Sequence, residues 1–254
     1  MTNHALAALE SALRVRKLDR TLTTSLAPLD RMDPSAIVPM DVVALDACLR
    51  GGLPRGQVSE LAGPRSSGGM TMLLHLMAAA TRRGEITAFV DTSDRLDVAS
   101  AATAGVDLSR LLWIRGEAVS AELRSAGPVG PAERVVERAL KALNLVLHAG
   151  GFSVVAIDLA DIPPASLRQI PFTTWLRVQR TIEGSDTACV LLTRTPVARS
   201  AGGLTVSLDG RTTWVGTSDQ SRRVAGIDIR ARVVSPRKRI DGNVTVGAVA
   251  TGTD

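Results

Sequence analysis

The amino-acid sequence predicts an α/β fold with a mainly parallel central sheet. Apolar β-runs alternate with helical patterns between residues 56 and 193, and this alternation is typical of right-handed βαβ units. The run 152–158, FSVVAID, is apolar almost throughout, as expected of a strand at the centre of a parallel sheet. After Gly202 the helical patterns stop and short β-runs remain. We expect these runs to form antiparallel strands that extend one edge of the same sheet.

The sequence divides into three predicted segments: an N-terminal helix and linker (1–40), a core domain (41–250) and a disordered tail (251–254). In the first segment, Leu6, Leu9 and Leu13 share one face of a helix predicted over 3–18. Such a short helix is marginal alone. It therefore docks either on its own core or on a partner molecule, and both interpretations stay open. The proline-containing stretch 19–40 is predicted to lack regular structure.

Within the core domain, glycines and prolines punctuate the periodic runs and fix the predicted elements. Strands are predicted over 57–62, 85–91, 111–115, 152–158, 188–193, 204–208, 212–215, 226–234 and 243–249. Helices are predicted around 46–49, 70–82, 96–104, 131–149 and 166–183. The helix from Pro131 is strongly amphipathic, with an inward face formed by Val135, Ala139, Leu143 and Val146.

The composition of the 254-residue chain, with 45% hydrophobic and 22% charged residues, is that of an ordinary globular protein. Cys48 and Cys189 lie in apolar runs without metal-ligand spacing, which predicts buried reduced thiols. The three histidines are scattered and no apolar run approaches about 20 residues. We therefore expect no metal site, no membrane partner and a cytoplasmic location, with recruitment to the bacterial nucleoid.

A glycine-rich turn follows the first core strand and precedes a helix. It consists of Gly63, Pro64, Arg65, Ser66, Ser67 and Gly68. This order has the glycine spacing of a phosphate-binding loop, in which backbone amides at a helix start bind an anion. The motif then requires Lys and Ser/Thr, whereas this chain has Gly69 and Met70. Two interpretations stay open: the turn binds an anion, with Arg65 replacing the lysine, or it is a retained tight turn before a buried helix.

The segment LDACLRGGLPRGQVSELAGPRSSGGMT resembles the nucleotide-binding core of RecA-type recombinases, which pass from an LD helix through a GGLP-G turn into GPxSSGKTT. The resemblance continues through FVD at 89–91, GVD at 105–107, Trp113 and the strands ending at Asp158 and Thr193. It spans residues 42–249 and implies a RecA-like P-loop core with antiparallel C-terminal strands.

The same resemblance implies that the catalytic set is degenerate. In active members the loop Lys contacts the β- and γ-phosphates, and the next hydroxyl binds magnesium. The position of the catalytic glutamate falls on Ser93, and only Asp158 matches, at the Walker B aspartate. We therefore predict no ATPase activity and little or no binding of ATP or magnesium. Asp158 is expected to accept a hydrogen bond from Ser67 or Thr71, and Ser93 and Asp94 to be polar loop residues.

A diverged, shortened RecA branch without these residues resembles ImuA, including the ImuA-prime proteins. That resemblance implies a non-catalytic accessory factor of damage-induced (SOS-type) translesion DNA synthesis. Its implied partners are the Y-family polymerase homologue ImuB, RecA and, indirectly, a DnaE2-type error-prone polymerase. Two alternatives stay open: an ATP-dependent recombinase with atypical loop residues, and an inhibitor or modulator of RecA filaments. The N-terminal leucines would contact RecA, another copy or ImuB.

The C-terminal third is rich in arginine, in a chain of net charge +5. In RecA-like proteins the loop after the 188–193 strand leads to DNA, and here it spans 194–204. DNA-binding candidates are Arg194, Arg199, Gly202, Gly203, Arg222 and Arg223, with the two glycines providing flexibility. The loop has no aromatic residue, so base stacking is unavailable there. Sequence-independent binding of single-stranded DNA through its phosphates is one hypothesis; a solvated basic surface, or one facing an acidic partner, is the other.

Overall fold

A computed structural model describes residues 34–116, 130–198, 203–218, 220–235 and 243–249. The chain divides into residues 1–32 and 33–254. The predicted partner-binding residues Leu6, Leu9 and Leu13 belong to the first unit and lie outside the described residues. Within the described part, no helix is long and apolar enough to cross a lipid bilayer.

The strands of the second unit are β1 (Ile37–Val38), β2 (Leu53–Pro54), β3 (Gln57–Ala62), β4 (Thr87–Asp91), β5 (Leu111–Arg115), β6 (Val154–Asp158), β7 (Ala188–Thr193), β8 (Thr205–Val215), β9 (Arg223–Ser235) and β10 (Asn243–Val249). The α-helices are α1 (Val43–Cys48), α2 (Gly69–Arg82), α3 (Val98–Thr103), α4 (Pro131–Ala149), α5 (Pro164–Arg168) and α6 (Phe172–Ile182). Short 3₁₀ turns cover Pro34–Ala36 and Leu108–Arg110.

The main sheet has eight strands in the order β10-β9-β8-β3-β7-β6-β4-β5. Strands β3 to β7 are mutually parallel, as predicted from the alternating pattern. The C-terminal strands extend one edge, also as predicted, but the change of direction lies between β8 and β9. Strand β8 runs parallel to β3 over a short register, and β9 and β10 are antiparallel.

Apolar side chains pack on both faces of this sheet. Helix α2 is buried on one face, where Leu73 and Met77 contact the core. Helices α4 and α6 cover the other face with Leu143 and Trp175 among the buried residues. The predicted inward face of α4 is confirmed, because Val135, Ala139, Leu143 and Val146 are all buried. Cys48 and Cys189 are buried free thiols, as expected, and burial raises the pKa of the Cys189 thiol to about 12.

Three sequence-based boundaries were wrong for identifiable reasons. The helix predicted over 166–183 is two helices, because Pro171 forces Ile170 out of helical geometry and begins α6. The runs 204–208 and 212–215 form one strand, because Gly210 continues the ladder opposite Ile229. The end of the predicted linker is ordered, since Ile37 and Val38 pair with β2.

Candidate functional site

The predicted functional residues meet at the carboxyl edge of the parallel sheet. The glycine loop follows β3, Asp91 and Asp158 end the neighbouring strands β4 and β6, and Arg194 follows β7. Ligands of open α/β sheets bind outside the carboxyl ends of the strands. The fold therefore brings together residues that are as much as 131 positions apart in the sequence.

The glycine loop has the conformation of a strand-to-helix turn. Gly68 is the N-cap residue of α2 with φ 86°, and Ser66 also has positive φ, at 61°. The Ser67 amide donates to the Pro64 carbonyl at 3.2 Å, and the Gly63 amide donates to the Thr193 carbonyl at 3.0 Å. No side chain caps the first turn of α2. The loop backbone thus retains the geometry that the glycine spacing predicts.

The loop glycines are packed against the strands beneath them. A Cβ at Gly68 would lie 2.2 Å from Ile229 Cδ1 on β9, and a Cβ at Gly69 would lie 2.6 Å from Leu192 Cδ1 on β7. Met70 is partly buried and packs against the hydrophobic core. The packing of Gly68 and Met70 favours the tight-turn interpretation, whereas a side chain at position 69 would closely approach only the flexible end of Leu192.

The cationic side chains at this edge converge on one carboxylate, which we call the Asp161 cluster. It comprises Asp161 with Arg65, Arg95 and Arg194, from the loops after β6, β3, β4 and β7, respectively. Asp161 accepts from Arg65 at 2.6 Å, from Arg95 at 2.5 Å and from Arg194 at 3.1 Å. These hydrogen bonds hold the pKa of the Asp161 carboxyl below its usual range, although partial burial opposes the shift. Arg65, which was considered as a replacement for the missing loop lysine, is therefore paired with a protein carboxylate.

Asp158 and Asp91 are adjacent carboxylates in parallel register, both buried. Burial raises the pKa of Asp158 to about 6, and the nearby Asp91 and Asp161 charges add to the rise. Asp158 Oδ1 accepts from the Ala160 amide at 2.8 Å. Asp158 was expected to accept a hydrogen bond from Ser67 or Thr71. It accepts one from the backbone amide two residues further along the chain, because the loop after β6 turns back over the carboxylate.

Asp91 is fixed on one oxygen only. Its Oδ2 accepts from the amides of Arg95 and Leu96 and from Trp113 Nε1, whereas the buried Oδ1 has no partner. This carboxylate borders a cavity of about 270 Å³ between β4, β5 and α4. Within the described residues, no three His, Cys, Asp or Glu side chains form a group that could hold a metal ion.

Comparison with known proteins agrees with this geometry. A family model described as the RecA N-terminal domain matches residues 16–125. The chain is 35% identical over 167 residues to Protein RecA of Acidothermus cellulolyticus and 34% identical over 166 residues to Protein RecA of Clavibacter michiganensis subsp. michiganensis. A crystal structure of the RadB recombinase superposes with a TM-score of 0.54 at 18% identity, covering 85% of this chain and 96% of that one.

The chain has a RecA-like fold, and its residues 16–125 match the RecA N-terminal domain. The matched segments cover 65% of the chain with the Acidothermus protein and 59% with the Clavibacter protein. They represent only 42% and 41%, respectively, of those two RecA proteins.

One buried residue of this RecA-like core was missed by the sequence analysis. Glu60 on β3 is buried, and it accepts from Thr193 Oγ1 at 3.0 Å and from the Val197 amide at 2.7 Å. Burial raises the pKa of its carboxyl. Glu60 therefore anchors the start of the predicted DNA loop. The sequence feature that could have revealed this residue is a single glutamate inside a mostly apolar β-run.

The described members of the predicted DNA-binding set lie on different elements. Arg194 is committed to Asp161, and its buried Nε has no partner. Gly203 is buried, and a Cβ there would lie 2.3 Å from the Val58 carbonyl oxygen, so close packing rather than flexibility explains this glycine. Arg222 and Arg223 are exposed where β9 begins. Arg199 and Gly202 lie outside the described residues.

Ser93 is the residue that the sequence resemblance predicts at the position of the family's catalytic glutamate. Ser93 lies in the loop after β4, and the neighbouring Asp94 binds Arg115 through both oxygens at 2.7 and 2.8 Å. The Arg115 guanidinium also stacks on the Trp113 ring, with its central carbon 4.5 Å from the ring centroid. Asp94 therefore has a structural partner, in line with the expectation for a polar loop residue.

Proposed function

We propose that this RecA-like chain is a non-catalytic accessory protein of DNA damage tolerance that acts by binding protein partners and single-stranded DNA. The observation on which the proposal rests is the Asp161 cluster beside a glycine loop that has Gly69 and Met70 in place of the anchoring residues. The arginines nearest the loop are bound to a protein carboxylate, which reduces the positive charge offered to a triphosphate.

The chemistry of the donor set does not fit magnesium and a nucleoside triphosphate. Gly69 has no charge for the β- and γ-phosphates, and the Met70 thioether is a poor ligand for magnesium, a hard cation that binds oxygen. Each lost charge-assisted contact is worth about 1.5–3 kcal/mol. Losing two lowers affinity by about 10²- to 10⁴-fold, which moves a micromolar dissociation constant into the range of roughly 0.1–10 mM.

The finer assignment, to an ImuA-type role in SOS-induced translesion synthesis, is also a proposal. It is supported by the degenerate catalytic set and by the sequence resemblance. The corresponding partners would be an ImuB-type polymerase homologue and RecA, with a DnaE2-type polymerase recruited indirectly. The predicted contact for one of these partners is the helix face of Leu6, Leu9 and Leu13.

Calorimetric titration with magnesium-ATP tests the nucleotide part of the proposal. We expect no saturable binding by the natural chain at micromolar ATP. The matched control is Gly69→Lys with Met70→Thr, which restores both anchors, because Leu192 is contacted only through the end of its flexible side chain. Stoichiometric micromolar binding by the natural chain would contradict the proposal, and binding gained only by the restored variant would support it.

An ATP-dependent recombinase is the second candidate, favoured by the RecA names of the curated relatives and by the retained Asp158. DNA-stimulated ATP hydrolysis that Asp158→Ala abolishes would establish it. Pull-downs with ImuB-type protein and RecA separate the binding roles. Inhibition of RecA strand exchange without binding to ImuB would instead identify a modulator of RecA filaments.

A further inference from the structure

The hairpin of β8 and β9 extends beyond the carboxyl ends of the parallel strands. Strand β8 pairs with β3 only over Thr205–Ser207, where β3 ends, and then continues in the same direction to Val215. At about 3.3 Å per residue, its last eight residues extend roughly 25 Å past that edge. The third strand, β10, pairs with β9 no further than Gly226. Among the described residues, the last two ladder pairs, Trp214–Val224 and Val215–Arg223, therefore form a two-stranded ribbon beyond β10. We call this end of the hairpin, residues 211–225, the hairpin tip.

The hairpin tip exposes a tryptophan. Trp214 has 57% of its surface exposed, whereas Trp175 is 1% exposed and Trp113 is partly buried with its Nε1 bonded to Asp91. Val224 lies directly opposite Trp214 in the ladder and is also exposed. A register shift between Thr213 and Trp214 increases the local twist. The exposed indole and its aliphatic neighbour form an apolar surface on one face of the ribbon.

Positive charge is concentrated in this part of the hairpin. Residues 211–225 contain three arginines and one aspartate. Arg211 and Arg223 are exposed on the two strands. Arg223 pairs with Val215, one ladder position beyond the Trp214–Val224 pair, so its side chain leaves the other face of the narrow ribbon. The turn itself is built by hydrogen bonds between Ser218 and Ser221. A partner that matches this combination has negative charge at regular spacing and exposed aromatic faces.

Single-stranded DNA has both properties. Its phosphates complement arginines, and its unpaired bases stack on aromatic side chains irrespective of sequence. A duplex keeps its bases inside the stack, and an acidic peptide has no regular array of aromatic faces. We propose that the hairpin tip binds single-stranded DNA, with Trp214 stacking on a base and the arginines of the tip, Arg223 among them, contacting phosphates of the strand as it passes the narrow ribbon. This inference rests on the DNA-binding part of the proposed function.

The test measures binding of the full chain to a fluorescently labelled thymidine oligonucleotide by anisotropy. Base stacking on an aromatic residue predicts that Trp214→Ala weakens binding by about 5- to 150-fold. Trp214→Phe keeps the ring and should stay within about threefold of the natural chain. An oligonucleotide with abasic sites should bind the natural chain and Trp214→Ala equally weakly. Arg223→Gln should lower the log–log salt slope by about 0.7, whereas Arg180→Gln on α6 should leave it unchanged.

Each other outcome overturns the inference. Equal affinity of Trp214→Ala and the natural chain removes the hairpin tip from the DNA surface while leaving DNA binding itself intact. Equal loss on intact and abasic strands means that Trp214 supports the fold rather than stacks on a base. Absence of any DNA binding by the natural chain refutes both the inference and the DNA-binding part of the proposed function. Loss of self-association in Trp214→Ala without a change in DNA affinity would assign the tip to contact with a second copy.

Discussion

Replacing Asp158 by asparagine is expected to stabilise the protein at neutral and alkaline pH. The buried carboxyl has a pKa of about 6, against 3.8 for an ordinary aspartate. The folded chain therefore holds this proton more tightly than the unfolded chain does. Its contribution to stability is complete below about pH 3.8 and is lost as the pH rises through 6. The difference in pKa corresponds to about 3 kcal/mol of charge burial above pH 7.

Asparagine keeps the oxygen that accepts from the Ala160 amide but has no charge to bury. Urea denaturation of the natural chain and of Asp158→Asn should therefore show a variant that is more stable by up to about 3 kcal/mol at pH 8. The advantage should shrink as the pH falls through 6 and disappear only below about pH 3.8. Asp94→Asn is the matched control with the opposite sign, because Arg115 lowers the pKa of Asp94. An Asp158→Asn variant that is less stable than the natural chain at pH 8 would refute the reasoning.

Three further substitutions test the site's architecture. Asp161→Asn should lower the free energy of unfolding by about 2 kcal/mol at pH 7, since two of its three arginines are exposed and contribute little. The loss should shrink in acid, where the natural carboxylate also loses its charge; a constant loss in urea titrations from pH 3 to 7 would argue against the ion pairs. Glu60→Gln should increase hydrogen exchange of the Val197 amide, and unchanged protection would mean that Glu60 does not anchor the loop. Gly68→Ala should cost roughly 2 kcal/mol from positive φ and the clash with Ile229, and a neutral effect on the melting temperature would contradict the loop conformation.

The sequence predicted the strands well where turn residues bound them closely. Residues 57–62, 111–115, 188–193 and 243–249 were predicted with the bounds that the structure shows. The break at Pro171 was missed because the apolar period continues across it. The β8–β9 hairpin was missed in its full length because Asp209, Gly210 and Arg211 resemble a turn, and only pairing with β9 keeps them extended.

The candidate site was predictable only in its local part. The glycine loop and Asp158 follow from spacing along the chain, whereas the Asp161 cluster depends on partners 33, 66 and 96 residues away. Nothing in the local pattern distinguishes Asp161 from a solvated loop aspartate. Trp214 was missed for a related reason, since a tryptophan in an apolar β-run is usually buried and its exposure results from how far the hairpin extends.

The Asp161 cluster has a consequence for mutagenesis. The Asp161 carboxylate binds arginines from loops that follow three different strands. Substituting one arginine leaves the carboxylate with two partners, and substituting all three leaves it without any of them. Energetic effects within such a group are not additive. A survey that changes one residue at a time would therefore undervalue each of the three arginines, and multiple-mutant cycles would reveal cooperation between loops that are distant in the sequence.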